Sequence, residues 1–187
     1  MSSAHDPTVL PHGLPVPVDD GACDHVVGMA VPPLVLGSTH GALDLASLDD
    51  HRLVLYIYPR TGQPGEPPLP GWDAIPGARG CTPESCAFRD RHAELRDMAT
   101  VAGLSAQTLE EQREFAERNS MPFPIFSDPE LRLARALRLP TFGAGGVTLY
   151  KRVTLIAEGP EIVKAFYPVF PPDRHADEVL TWLRARR

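Results

Sequence analysis

Apolar residues in this chain come in short blocks divided by Pro and Gly, and the spacing inside each block separates strand from helix. "RLVLYIYP" (52–59) is an unbroken apolar run rich in β-formers and stopped by Pro59, the pattern of a strand buried on both faces. "LVLGSTHGALDLASL" (34–48) predicts two short strands around a Thr39-His40-Gly41 turn, and "TVAGLS" (100–105) and "FPIF" (123–126) predict two more. A helix is expected after residue 81, with Thr82 as cap, Pro83 at its first position and Glu84 at its positive end. Phe88, Leu95 and Met98 recur near helical spacing and give it one apolar face. "TLEEQREFAERN" (108–119) predicts a second helix, and Asp128-Pro129-Glu130 opens a third that runs to about Leu137. "LPTFGAGG" (139–146) reads as a loop. "LYKRVTLIAE" (149–158) and "EIVKAFYP" (161–168) read as strands joined at Gly159-Pro160. "PPDRHADEVLTWLRARR" closes the chain as a helix with Ala176, Val179, Leu180 and Leu183 on one face.

This order of elements predicts an α/β domain over 31–187, a central mixed β-sheet flanked by helices. Residues 1–30 are rich in Pro and Asp with weak periodicity, and are expected to form an extended N-terminal arm. The segment 62–76 holds five prolines, three glycines and Trp72 in fifteen residues, which excludes a regular element. It predicts a stiff irregular loop whose tryptophan packs on something. The formal charge of −6 speaks against a nucleic-acid or anionic-membrane partner. No apolar run approaches the ~18 residues of a membrane span, and the N-terminus shows no secretory pattern, so the cytoplasm is the expected compartment.

The candidate chemistry lies in the three cysteines, Cys23, Cys81 and Cys86. Structural zinc wants about four N/S ligands, often in C-x2-C pairs. Here four residues separate Cys81 and Cys86 and no second pair follows, so no metal is expected. In one regular helix the two Cα atoms would lie roughly 8–9 Å apart, beyond the ~7 Å limit for a bridge. They can join only if the first turn unwinds. A cysteine at a helix N-terminus faces unpaired N–H groups, which favour thiolate, and Arg79 two residues upstream would add positive potential. Cys81 therefore has the setting of a nucleophile with a lowered pKa, and Cys86 does not. On this ground alone two ordinary half-buried cysteines remain the alternative.

Several segments in order resemble the peroxiredoxins, especially the bacterioferritin-comigratory (peroxiredoxin Q) subgroup of the AhpC/TSA redoxin superfamily. They are "YIYPRTG" (56–62), "GCTPESCAFRD" (80–90), "GLSAQTLEEQREFAERNSMPFPIFSD" (103–128) and "KRVTLI" (151–156), and the resemblance spans about residues 32–186. It implies a thioredoxin-like fold and cofactor-free, thiol-dependent reduction of hydroperoxides by a monomer or homodimer. Cys81 would be the peroxidatic cysteine and Cys86 the resolving one, with a thioredoxin-like protein as reductant. Arg152 would hold peroxide and thiolate, and its removal would slow the chemistry far more than it destabilises the fold. The chain departs from the subgroup three residues before the cysteine, where Ala78 replaces the usual Thr or Ser. Residues 62–76 look like an insertion, a lid over the cysteine, and Thr61 is the expected substitute hydroxyl. The alternative function is a non-enzymatic peroxiredoxin-like thiol sensor or binding module.

Overall fold

A computed structural model describes residues 6–48 and 51–186; the first five residues of the expected arm and Arg187 of the closing helix lie outside it. Seven strands form one mixed sheet: β1 (Val35–Ser38), β2 (Gly41–Asp44), β3 (Arg52–Ile57), β4 (Thr100–Ser105), β5 (Ile125–Ser127), β8 (Val153–Glu158) and β9 (Glu161–Phe166). Their spatial order is β2-β1-β5-β4-β3-β8-β9. The middle strands β5, β4 and β3 run parallel, while β1 and β8 flank them antiparallel. This is the thioredoxin-like layout of a central mixed sheet with helices on its faces.

The apolar run of β3 explains the two layers. Leu53, Leu55 and Ile57 point to one face and join Leu133 and Leu137 of helix α4 (Arg132–Leu137). Val54, Tyr56 and Tyr58 point to the other and join three helices, through Phe88 of α1 (Cys81–Asp90), Phe115 of α3 (Leu109–Asn119) and Val179 and Leu180 of α5 (His175–Arg184). Alternate side chains thus feed two separate cores, so after Arg52 at its start every position of the strand is apolar and buried. The arm takes part as well. Cys23 and Val26 are buried in the α4-side core, and Ala30 bridges Glu161 on β9.

Several boundaries differ from the sequence expectation for local reasons. Thr141–Ala144 is not a loop but strand β6, paired antiparallel with β7 (Val147–Tyr150) across Gly145-Gly146. Both glycines have positive φ, which a two-residue hairpin turn demands. The strand expected over 149–158 is therefore split: Leu149 and Tyr150 belong to the hairpin, and the main sheet begins at Val153. The expected strand at 123–126 starts two residues late. Pro122 and Pro124 have no N–H for a ladder, so pairing begins at Ile125. Helix α4 starts at Arg132 rather than Asp128 because Leu131 sits in the left-handed region (φ 54°). Asp128 still serves it, accepting from the N–H groups of Arg132 and Leu133 at 3.0 and 2.9 Å. The helix expected to reach past Leu95 breaks at Arg91, leaving a single turn, α2 (His92–Leu95).

Candidate active site

Helix α1 begins two residues earlier than expected, at Cys81 rather than Pro83, and its N-cap is Gly80 rather than Thr82. Gly80 has φ 104°, and a Cβ there would lie 2.4 Å from Pro172 Cγ and 2.9 Å from Leu10 Cδ1. Only glycine fits, because the backbone turns left-handed under two packed side chains. That turn sets Cys81 as the first helical residue, 2% exposed, among the residues lining a cleft open to solvent.

Three groups converge on the Cys81 sulfur. Arg152 Nη2 donates to Sγ at 3.1 Å, the Arg60 N–H donates at 3.4 Å, and the Ala78 carbonyl lies 3.5 Å away. Arg152 reaches the site because it occupies the bend where the chain leaves the β6–β7 hairpin for β8. Its Nη2 also lies 3.2 Å from the carbonyls of Gly77 and Ala78. Its Nη1 pairs with the Glu84 carboxylate, and the two side chains are 2% and 0% exposed. Glu84 lies three residues after Cys81, hence on the same face of α1. The sequence reading gave it only a helix-end role; its i+3 spacing from the cysteine is the signal that could have placed it in the site.

The charge balance differs from the expectation of a lowered Cys81 pKa. Burial pushes the Cys81 thiol up; Arg152 pulls against this, the Glu84 carboxylate adds to it, and the Arg60 N–H opposes it. Burial likewise pushes the Glu84 carboxyl up, with Arg152 opposing. One guanidinium therefore faces two acids, and it neutralises only one at a time. Arg79, the cation expected near the sulfur, is held instead by Asp73 at 3.1 Å and by the carbonyls of Asp6 and Val9 on the arm.

Thr61 lines the same cleft as Cys81 although it precedes it by twenty positions. It is 4% exposed, and its N–H and hydroxyl both donate to Gln107 Oε1, at 2.9 and 3.0 Å. The segment 62–76 thus leaves the site and returns to it. Cys86 is half-buried in the same helix as Cys81, with Sγ 3.7 Å from Asn119 Oδ1. Burial pushes its thiol up as well, against Arg89. Cys23 lies in the core on the other face of the sheet, where burial raises its pKa to about 12. Among the described residues no group of three or more His, Cys, Asp or Glu side chains could hold a metal ion.

The Redoxin family model matches residues 26–180, most of the chain and all of this site's catalytic candidates. The chain belongs to the Redoxin family. Within it, this redoxin is similar to the peroxiredoxin Q and Bcp branch. It is 28% identical over 163 residues to peroxiredoxin Bcp of Bacillus subtilis, covering 83% of this chain and 93% of that one. It is also 28% identical over 161 residues to the chloroplastic peroxiredoxin Q of Sedum lineare, covering 84% and 77% of the two chains. Among solved structures, peroxidoxin BcpB of Mycobacterium tuberculosis superposes with a TM-score of 0.69 at 28% identity, covering 86% of this redoxin and 97% of that chain. Peroxiredoxin Q of Xanthomonas campestris shares the fold, with a TM-score of 0.64 at 23% identity over 92% of this redoxin and 97% of that chain.

Proposed function

We propose that this chain is a thiol-dependent peroxidase that reduces hydrogen peroxide or organic hydroperoxides through Cys81. The observation that carries it is a cysteine at the first turn of a helix, 3.1 Å from a buried arginine, lining an open cleft. The Cys81 thiolate attacks the terminal peroxide oxygen. The O–O bond breaks, water or an alcohol leaves, and the sulfur becomes a sulfenic acid. Arg152 holds the negative charge as it moves from sulfur to the departing oxygen. The Cys86 thiolate then displaces the sulfenic oxygen as water, giving a Cys81–Cys86 disulfide. Both cysteines lie in α1, so the start of that helix unwinds for this step. A thioredoxin-like dithiol resets the pair, taking the oxidising equivalents as its own disulfide. The expected setting is the cytoplasm, with the chain a monomer or homodimer; among the described residues no helix is long and apolar enough to cross a membrane.

Ala78 motivates the alternative of a non-enzymatic sensor, and Thr61 on the cleft wall is the hydroxyl proposed to replace the one missing at 78. Thr61→Val removes the hydroxyl while Gln107 keeps the Thr61 N–H as a donor. The expected outcome is a peroxide rate lower by about tenfold, the effect of one lost hydrogen bond, with thermal stability little changed. A wild-type rate in Thr61→Val would remove it from the site.

Turnover of hydrogen peroxide with thioredoxin and its reductase tests the whole reading. Catalytic consumption that disappears in Cys81→Ser is expected. One equivalent consumed, with no further turnover, would favour the sensor. Peptide mapping after one equivalent should find Cys81 joined to Cys86 in one chain; a bridge to Cys23 or between chains would remove Cys86 from the cycle.

A further inference from the structure

The 62–76 segment is anchored at its start and through its second half. At its start, Arg118 Nη2 donates to the Gly62 carbonyl at 3.2 Å. In its second half, Trp72 is 6% exposed, stands 6.0 Å from Phe142 between ring centroids, and packs in a small core with Ala78, Ala144 and Leu149. Asp73 is held by Arg79. Between these anchors, Leu69 rests on the turn of the β6–β7 hairpin: a Cβ built on Gly145 would lie 2.9 Å from Leu69 Cδ2 and 3.5 Å from its Cβ. Leu69 also lines the Cys81 cleft, alongside Pro67, Pro68 and Trp72. It is therefore caught between the hairpin turn and the path to the sulfur.

We infer that this segment is a fixed selectivity wall, keyed by Leu69 on Gly145, which fits the cleft to hydroperoxides carrying an apolar, uncharged organic group. This rests on the peroxidase reading and names its substrate class. Prolines stiffen the wall and give it an apolar face that gains from covering hydrocarbon. The polar side of the mouth is poor ground for an anionic substrate. Of the two arginines lining the cleft, Arg60 is engaged by Glu111 at 3.3 Å and Arg79 by Asp73 at 3.1 Å, while Glu66 and Glu114 add further carboxylates. Gly145 touches no reacting atom and acts only through Leu69, so it is a positioning residue for specificity.

The test separates size selection from chemistry. Gly145→Ala pushes Leu69 toward the cleft. Gly146→Ala is the control: its φ of 81° imposes comparable backbone strain, but nothing lies within 4 Å of the added methyl. Single-turnover oxidation of Cys81 is followed with hydrogen peroxide, cumene hydroperoxide and a fatty-acid hydroperoxide bearing a free carboxylate. The wild-type chain should prefer cumene hydroperoxide to the carboxylate by about tenfold or more. Gly145→Ala should slow cumene hydroperoxide by about tenfold, the scale of a methylene misfit in an apolar pocket, and leave hydrogen peroxide within twofold. Adding Leu69→Ala to Gly145→Ala should restore the cumene hydroperoxide rate. Gly146→Ala should match the wild-type chain.

Equal slowing of small and bulky peroxides in Gly145→Ala, the same effect in Gly146→Ala, or no rescue by Leu69→Ala would each overturn the wall. A carboxylate substrate preferred over cumene hydroperoxide would overturn its stated class. A second readout does not need peroxidase activity: alkylation of Cys81, located by peptide mapping, by iodoacetamide and by its N-benzyl analogue. The benzyl reagent alone should slow in Gly145→Ala. If that holds while no peroxide reacts, the peroxidase reading fails and the wall stands; if both reagents slow equally, the wall fails whatever the peroxides do.

Discussion

Arg152→Met should react with hydrogen peroxide about 100- to 1,000-fold more slowly than the wild-type chain, the loss that follows removal of one preorganised donor to a developing charge. The sequence suggested that this rate loss would far exceed any loss of stability. The buried pairing with Glu84 changes that. With methionine at 152, a carboxylate that is 0% exposed loses its cation. Leaving one charge of such a pair behind costs about 3–5 kcal/mol. The single variant should therefore be both slow and less stable. Stability and rate come apart in the double variant Glu84→Gln/Arg152→Met, which no longer buries a lone charge. It should regain most of the unfolding free energy in urea and none of the peroxide rate. A double variant that reacts at the wild-type rate would reduce Arg152 to a packing residue.

Glu84→Gln alone should move the pH profile of Cys81 the other way. In the wild-type chain Glu84 and Cys81 compete for one guanidinium, and burial with the Glu84 charge holds the thiol above its ordinary value. The reactive form is the thiolate, so the rate falls as pH drops below the thiol pKa. Glutamine removes the competing charge and leaves Cys81 as the acid that Arg152 stabilises. The thiolate then persists to lower pH. Alkylation by iodoacetamide at pH 6 should accelerate by about tenfold, because below the thiol pKa the thiolate fraction rises as that pKa falls. An unchanged profile would show that Glu84 and Cys81 do not share the cation.

The parts of the fold legible in the sequence were those fixed by local pattern. The β3 run, the helix expected over 108–119 and the apolar face of α5 each carry their signal within about a dozen residues. The β6–β7 hairpin carried a signal too, Gly-Gly between two β-prone tetrads, yet Pro140 and the glycines made it read as loop. The site was legible by type more than by partner. Cys81 and Cys86 stand out from spacing, and Arg152 and Thr61 only through a family resemblance. Arg79 misled because closeness in sequence says nothing of direction: its guanidinium turns to Asp73 and the arm, while the cation on the sulfur comes from seventy-one residues away. The thiol's environment was out of reach for a related reason. A helix start can be read from residues 80–84, but the depth of its burial is set by β8, α5 and the arm together.

The close seat of Gly80 beneath Leu10 and Pro172 reaches beyond the placement of the helix. On the proposed cycle, the first turn of α1 opens to let Cys81 meet Cys86, so the arm's hold on Gly80 and Arg79 belongs to the dithiol form alone. Each contact surrendered on bridging makes the disulfide a stronger oxidant, by about 30 mV for every 1.4 kcal/mol. The N-terminal arm, which carries none of the reacting atoms, is then a tuning weight on the reduction potential, and shortening it should make the disulfide harder to reduce.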